Sequence, residues 1–245
     1  EANFTGLLCA LTRSHPEFST RGARALPGPA VFYVSRECHL AWLKIAHSAG
    51  IGRSAVQFIQ TDGAGRLDTR DLDGAINADK ARGYHPVMIV ATAGTTNAGM
   101  IDPLSECAEL ARKWSLWLHI DAAWGGALIA SDKMRHKLSG LERADSLTID
   151  AHKWFATTMS SGMFLTRHAV DLSSTFAVST DFMPSYVNGV DPYVTSMQWS
   201  RRFIGLRLFL SLAAAGWSGY GRHVDRAVEL AHLLSRRLVS KGWLL

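Results

Sequence analysis

Six short runs rich in β-branched, aromatic and leucine residues recur along the chain, and segments of helical period fill the intervals between them. The runs are Ala30–Val34, Ala55–Gln60, Val87–Thr92, Leu116–Asp121, Ser146–Asp150 and Met163–Thr166, each of strand length and bounded by turn-forming residues. Several are continuously apolar, the pattern of strands covered on both faces. A helix is expected over Leu40–Ala49, closed by Gly50, and another after an Asp68 cap, running toward Ala81. A third opens at Asp102-Pro103, read as an N-cap with proline in the first helical position, with Leu104, Ala108 and Ala111 at helical spacing. Strands alternating with helices predict an α/β fold with a mostly parallel sheet sandwiched by helices. Beyond Arg167 the alternation stops. Residues 173–200 read as one long loop of the kind that often forms a lid. Two helices, Arg202–Ala215 and Arg222–Leu238, follow; the second carries Val224, Val228, Ala231, Leu234 and Leu238 on one face. The expected division is a ligand-binding large domain over 1–215 and a connecting helix over 216–245.

Composition narrows the class. With 47% hydrophobic and 19% charged residues over 245 positions, the chain is long enough for a substantial core and is not of disordered or collagen-like type. The net charge of +5 is local: eight basic and two acidic residues lie from Ser200 onward, against 18 and 19 before it. No basic face interleaved with aromatics accompanies that excess, which argues against nucleic-acid binding. The apolar stretch Leu208–Trp217, closed off by Arg207, is too short to cross a bilayer, and no signal-peptide pattern opens the chain. Cys9, Cys38 and Cys107 are too widely and irregularly spaced for a disulfide framework, so a reducing, cytoplasmic setting is expected.

In open α/β sheets, ligands bind at the carboxyl ends of the strands. Read in order, those ends carry His39, then Thr95-Thr96-Asn97, then His119-Ile120-Asp121-Ala122-Ala123, then Asp150-Ala151-His152-Lys153. Asp121, closing an apolar strand, is a candidate shielded carboxylate that needs donors or a cation. Lys153, placed likewise, is a candidate nucleophilic amine able to form a Schiff base. A structural Asp121–Lys153 ion pair accounts for those two residues equally well. The small Ala122 and Ala123 and the paired Gly125 and Gly126 leave room for a flat group against the backbone. Other chemistries fit less well. His119, Asp121 and His152 could make a metal site, but Lys153 would repel the ion. Cys38 and His39 are neighbours whose side chains point apart. Gly63-Ala64-Gly65 lacks the third glycine of a dinucleotide loop, and Asp62, Asp68, Asp71 and Asp73 lack calcium-loop spacing.

HIDAAWGG (119–126) followed by DSLTIDAHKW (145–154) closely resembles the group II pyridoxal-phosphate-dependent amino-acid decarboxylases. The likeness extends through ATAGTTNAGMIDP (91–103), SRECHLAWLKIA (35–46) and WSRRFIGLRLFL (199–210), and so covers essentially the whole chain. The resemblance implies the large domain of a fold-type-I pyridoxal-phosphate enzyme and a homodimer with interfacial active sites. It implies further that Lys153 carries the cofactor, Asp121 bonds to its ring nitrogen, and His39 and Ala123 flank its ring. Thr96 would lie close by, and Asp150 and His152 would contact the phosphate region. A charge-assisted bond from Asp121 to the ring nitrogen would be worth about 1.5–3 kcal/mol. Glu1-Ala2-Asn3 resembles the end of the family's phosphate loop, so the chain is expected to be a large-domain fragment lacking that loop, an N-terminal segment and a C-terminal small domain. At the position of the family's proton-donating tyrosine stands Phe182, with Tyr186 four residues on as the alternative donor. In some members such a change accompanies aldehyde formation. The implied activity is decarboxylation of an L-amino acid, aromatic on the branch that looks closest. An aldehyde synthase, another lyase acting at Cα, or a non-catalytic truncated paralogue are the alternatives.

Overall fold

The computed structural model describes residues 1–178 and 191–244. A six-stranded sheet forms the centre: β1 (Ala30–Ser35), β2 (Val56–Ile59), β3 (His85–Thr92), β4 (Trp117–Asp121), β5 (Ser146–Asp150) and β6 (Gly162–Thr166). Their spatial order is β2-β1-β3-β4-β5-β6. All neighbouring pairs are parallel except β5 and β6, which run antiparallel. The expected α/β architecture is therefore the observed one, with each strand found within a few residues of its sequence-based position.

Among the described residues seven α-helices accompany the sheet: α1 (Ala2–Ser14), α2 (Phe18–Arg21), α3 (Ala41–Ser48), α4 (Thr69–Ala81), α5 (Leu104–Trp114), α6 (Ala169–Phe176) and α7 (Gly205–Val239). On one face of the sheet, Phe32, Met88, Val90 and Trp117 pack against Leu7 and Leu11 of α1 and Trp42 of α3. On the other, Tyr33, Ile89, Leu118 and Ile120 meet Leu72 and Ile76 of α4 and Cys107 and Ala111 of α5. Both faces are thus dry, which explains why β3 and β4 read as apolar runs and not as alternating ones. Both directions of winding leave the sheet from the neighbouring strands β1 and β3, so their carboxyl ends flank the crevice where such sheets bind ligands.

Local signals held in part. Asp68 caps α4, its Oδ1 accepting from the Arg70 and Asp71 backbone N–H groups at 2.8 and 3.3 Å. Gly50 follows α3 at φ 75°, a conformation that favours glycine. Asp102 does not cap α5 as expected. Its carboxylate turns inward and accepts from the backbone N–H groups of Leu67 and Thr92 at 2.8 and 2.7 Å. Pro103 then occupies the cap position. Burial pushes the Asp102 carboxyl up to about 6, against the pull of those two donors.

The expected loop over 173–200 is partly helical, since α6 runs on to Phe176 and a 3-10 turn spans Pro192–Thr195. The two expected C-terminal helices meet in α7, which is broken at Gly216 (φ 66°, ψ 166°). Its second part begins directly after that break, earlier than the expected Arg222. Of its apolar stripe, Val224 is buried while Leu234 remains 58% exposed. Asp68→Ala should lower stability by about 0.5–2 kcal/mol through loss of the α4 cap, measured as a shift in the urea unfolding midpoint with unchanged slope.

Candidate active site

A cavity of about 730 Å³ opens at the carboxyl ends of β1, β3, β4 and β5, within the range typical of small-molecule sites. The described residues that the family resemblance assigns to the cofactor all line it: Lys153, Asp121, His39, Ala123, Thr96, His152 and Asp150. Tyr186 and Phe182 lie outside the described residues.

Asp121 ends β4 at 6% exposure. Its Oδ2 accepts from Asn3 Nδ2 at 2.7 Å and its Oδ1 from the Ala123 N–H at 3.2 Å. Burial raises the carboxyl above the usual carboxylate range, while Asn3, Ala123 and the more distant Lys153 charge oppose that rise. Lys153 does not pair with Asp121. Its Nζ lies 3.1 Å from Asp150 Oδ2, and His152 Nε2 lies 3.8 Å from the same oxygen. His152 Nδ1 accepts from the Ser161 N–H at 3.1 Å, which fixes the ring across the turn between β5 and β6. That turn holds Ala156 and Ser160 at φ 52° and 66°, a left-handed backbone uncommon for non-glycine residues and frequent at functional sites.

His39 stands exposed at the mouth, just ahead of α3, with Nδ1 accepting from the Ala41 N–H at 3.1 Å. Thr96 is exposed in the turn after β3, whereas Thr92 Oγ1 is buried in the wall with no hydrogen-bond partner among the described residues. The glycine pair after β4 does not leave open space. A Cβ on Gly125 would sit 2.4 Å from the Ala93 carbonyl oxygen, and one on Gly126 would sit 2.7 Å from Ile149 Cγ1. Gly125 lets the β3 and β4 turns touch and Gly126 admits Ile149 of β5, while Ala123 lines the cavity. Trp124, which lines the cavity, meets Trp154 edge to face at 4.3 Å.

Two features escaped the sequence reading. Asn3 had been read only as the end of a phosphate loop, yet it donates to Asp121 across 118 positions. His119 points into the wall and not toward His152; its Nδ1 lies 2.8 Å from Ser146 Oγ and its Nε2 3.0 Å from Asn3 Oδ1. The available signal was the shared strand face of His119 and Asp121, two residues apart. Cys38, whose side chain was expected to point away from His39, is buried in the core, and burial pushes its thiol up to about 12, which does not suit a nucleophile.

With this geometry in view, the comparisons are decisive for the family. The pyridoxal-dependent decarboxylase conserved domain matches residues 1–242, and the chain belongs to that family. The chain is 33% identical over 241 residues to the cysteine sulfinic acid decarboxylase of Mus musculus, covering 95% of this chain and 48% of that protein. The apo crystal structure of the mouse enzyme superposes with a TM-score of 0.92, over 98% of this chain and 50% of that one. Oryza sativa TDC, solved with PLP and tryptamine, gives a TM-score of 0.87 at 25% identity, over 95% and 49% of the two chains. The 4-hydroxyphenylacetaldehyde synthase of Rhodiola rosea gives 0.84 at 26% identity, over 98% and 50%. The chain thus spans about half the length of the relatives it matches, and its fold is that of their fold-type-I half.

Gly125→Ala should push the β3 and β4 turns apart and lower stability by about 1–3 kcal/mol, read as a fall in the thermal midpoint.

Proposed function

We propose that this chain forms the cofactor-binding half of a pyridoxal-phosphate-dependent carboxy-lyase acting on an L-amino acid. The observation that carries the reading is the convergence of the Lys153 amine and the buried Asp121 carboxylate on one cavity at the strand ends. The donor set suits the cofactor. Among the described residues Asp121 Oδ1 has one donor, at 3.2 Å, and so retains capacity for a ring N–H. Thr92 Oγ1, unpartnered in the wall, is a further polar contact for a bound group.

Lys153 Nζ would anchor the cofactor aldehyde, held in place by Asp150 at 3.1 Å. Asp121 would keep the ring nitrogen protonated. His39 and Ala123 would confine the ring from its two faces, with Thr96 at its edge, and Asp150 and His152 would stand toward the phosphate region, near the opening turn of α1. Bound pyridoxal phosphate supplies the electron sink for the pair left when the substrate carboxylate departs as carbon dioxide. The protein's share is to align the Cα–carboxylate bond with that sink and to exclude water. For the proton returned to Cα, Tyr186 is the proposed donor, because Phe182 has none to give.

The apolar wall formed by Phe164, Leu172 and Ile204 supports an aromatic amino acid as substrate. A second reading, a small acidic substrate, draws support from Arg201 at the cavity and from the 33% identity to a cysteine sulfinic acid decarboxylase. A homodimer is part of the proposal, supported by the exposed apolar Phe203, Phe209 and Leu210 beside the site. Three buried free cysteines support a cytoplasmic location.

Borohydride reduction of the full polypeptide with pyridoxal phosphate, followed by peptide mapping, should leave a pyridoxyl group on Lys153. Lys153→Ala should lose both the adduct and carbon dioxide release, and retained release would overturn the assignment. Turnover of phenylalanine, tyrosine or tryptophan, against cysteine sulfinate or aspartate, decides between the two substrate readings. Phe182→Tyr should raise the ratio of amine to aldehyde among the products, and an unchanged ratio would leave the donor role to Tyr186.

A further inference from the structure

Behind Asp121 lies a line of polar side chains between α1, α3 and the sheet, buried except for the half-buried Asn3 at the cavity wall, that the proposed chemistry does not use. Trp117 Nε1 lies 2.8 Å from Ser146 Oγ, which lies 2.8 Å from His119 Nδ1. His119 Nε2 lies 3.0 Å from Asn3 Oδ1, and Asn3 Nδ2 lies 2.7 Å from Asp121 Oδ2. Thr148 Oγ1, at 3.4 Å, is the other polar neighbour of Nε2.

The direction of the bonds follows from what each group can do. An indole N–H only donates, so Ser146 Oγ accepts from Trp117 and is free to give its own hydrogen to His119 Nδ1. An ionised carboxylate only accepts, so the Asn3 amide nitrogen faces Asp121 and the amide oxygen faces His119. The ring therefore accepts at Nδ1 and donates at Nε2, which is one neutral tautomer. Burial supports neutrality, pushing the ring down to about 3. His119 is wholly buried, with Trp42 edge-on at 5.6 Å. On the α1 side, a Cβ at Gly6 would sit 2.7 Å from Nδ1, so the helix rests directly on the ring. Nothing in this packing leaves the imidazole free to turn over.

We infer that Asn3, His119 and Ser146 are positioning residues, a one-way chain of donors that keeps the buried Asp121 ionised and aimed at the cofactor's ring nitrogen. The inference rests on the proposed role of Asp121. A buried carboxylate with few donors takes up a proton and ceases to hold a cationic ring nitrogen. Successive donors polarise one another, so removing a distant member weakens the last bond as well.

The test uses the full polypeptide, pyridoxal phosphate, and the cofactor analogue with carbon in place of the ring nitrogen. Nitrogen NMR of the loaded protein should show His119 neutral with its hydrogen on Nε2. A hydrogen on Nδ1, or a charged ring, would overturn the chain and leave the cofactor assignment standing. Asn3→Ala and His119→Phe should each weaken pyridoxal phosphate binding roughly tenfold while changing affinity for the analogue far less. Equal losses for both molecules would mean that the residues only pack. If His119→Phe does not fold, Asn3→Ala and the wild-type tautomer still decide. Failure of the wild type to bind pyridoxal phosphate would remove the proposed function and the inference together.

Discussion

A carboxylate at the end of a strand that is covered on both faces sets the terms for everything around it. Asp121 has 6% exposure and no cation in direct contact among the described residues, so its carboxylate depends on neutral donors. The nearest donors come from the first turn of α1 and from the backbone of its own turn. That requirement ties the opening of the chain to the middle strand of the sheet. It also explains why α1 must approach so closely and why Gly6 faces His119. The same dry sheet separates the two faces, so the site is assembled from whatever projects beyond its carboxyl edge.

Much of this was legible before any coordinates. The six strands could be read because parallel strands buried on both faces are short apolar runs, and His39, Asp121 and Lys153 could be read because they follow such runs. What could not be read was direction in space. Asp102 looked like a cap, since an aspartate before proline has the local chemistry of one. Tertiary contact overrode it: two backbone N–H groups, of Leu67 and Thr92, claim its carboxylate. Gly125 and Gly126 looked like space for a ligand, and a glycine is equally consistent with backbone pressed against backbone. Asn3 and Asp121 are 118 positions apart, and no periodicity links residues so distant.

The far end of the chain behaves differently from the sheet. Asp225 is hydrogen-bonded to Ser131 and Val224 is buried, so the second part of α7 is moored near its start. Beyond that mooring its apolar residues find little cover among the described residues, Leu234 being 58% and Val239 56% exposed. Surface of this kind is characteristic of a helix that meets another body. The half-length match to the relatives is in keeping with it.

Gly6 carries one more consequence. Gly6, in the second turn of α1, and His119 of β4 belong to separate elements, yet the helix backbone rests on the imidazole with no room for a Cβ between them. The pair works as a gauge block. The separation of helix and strand at this point tolerates not even one added methyl group without a shift of the ring. The docking of α1, and with it the hydrogen bond from Asn3 to Asp121, therefore depends on a position that has no side chain of its own.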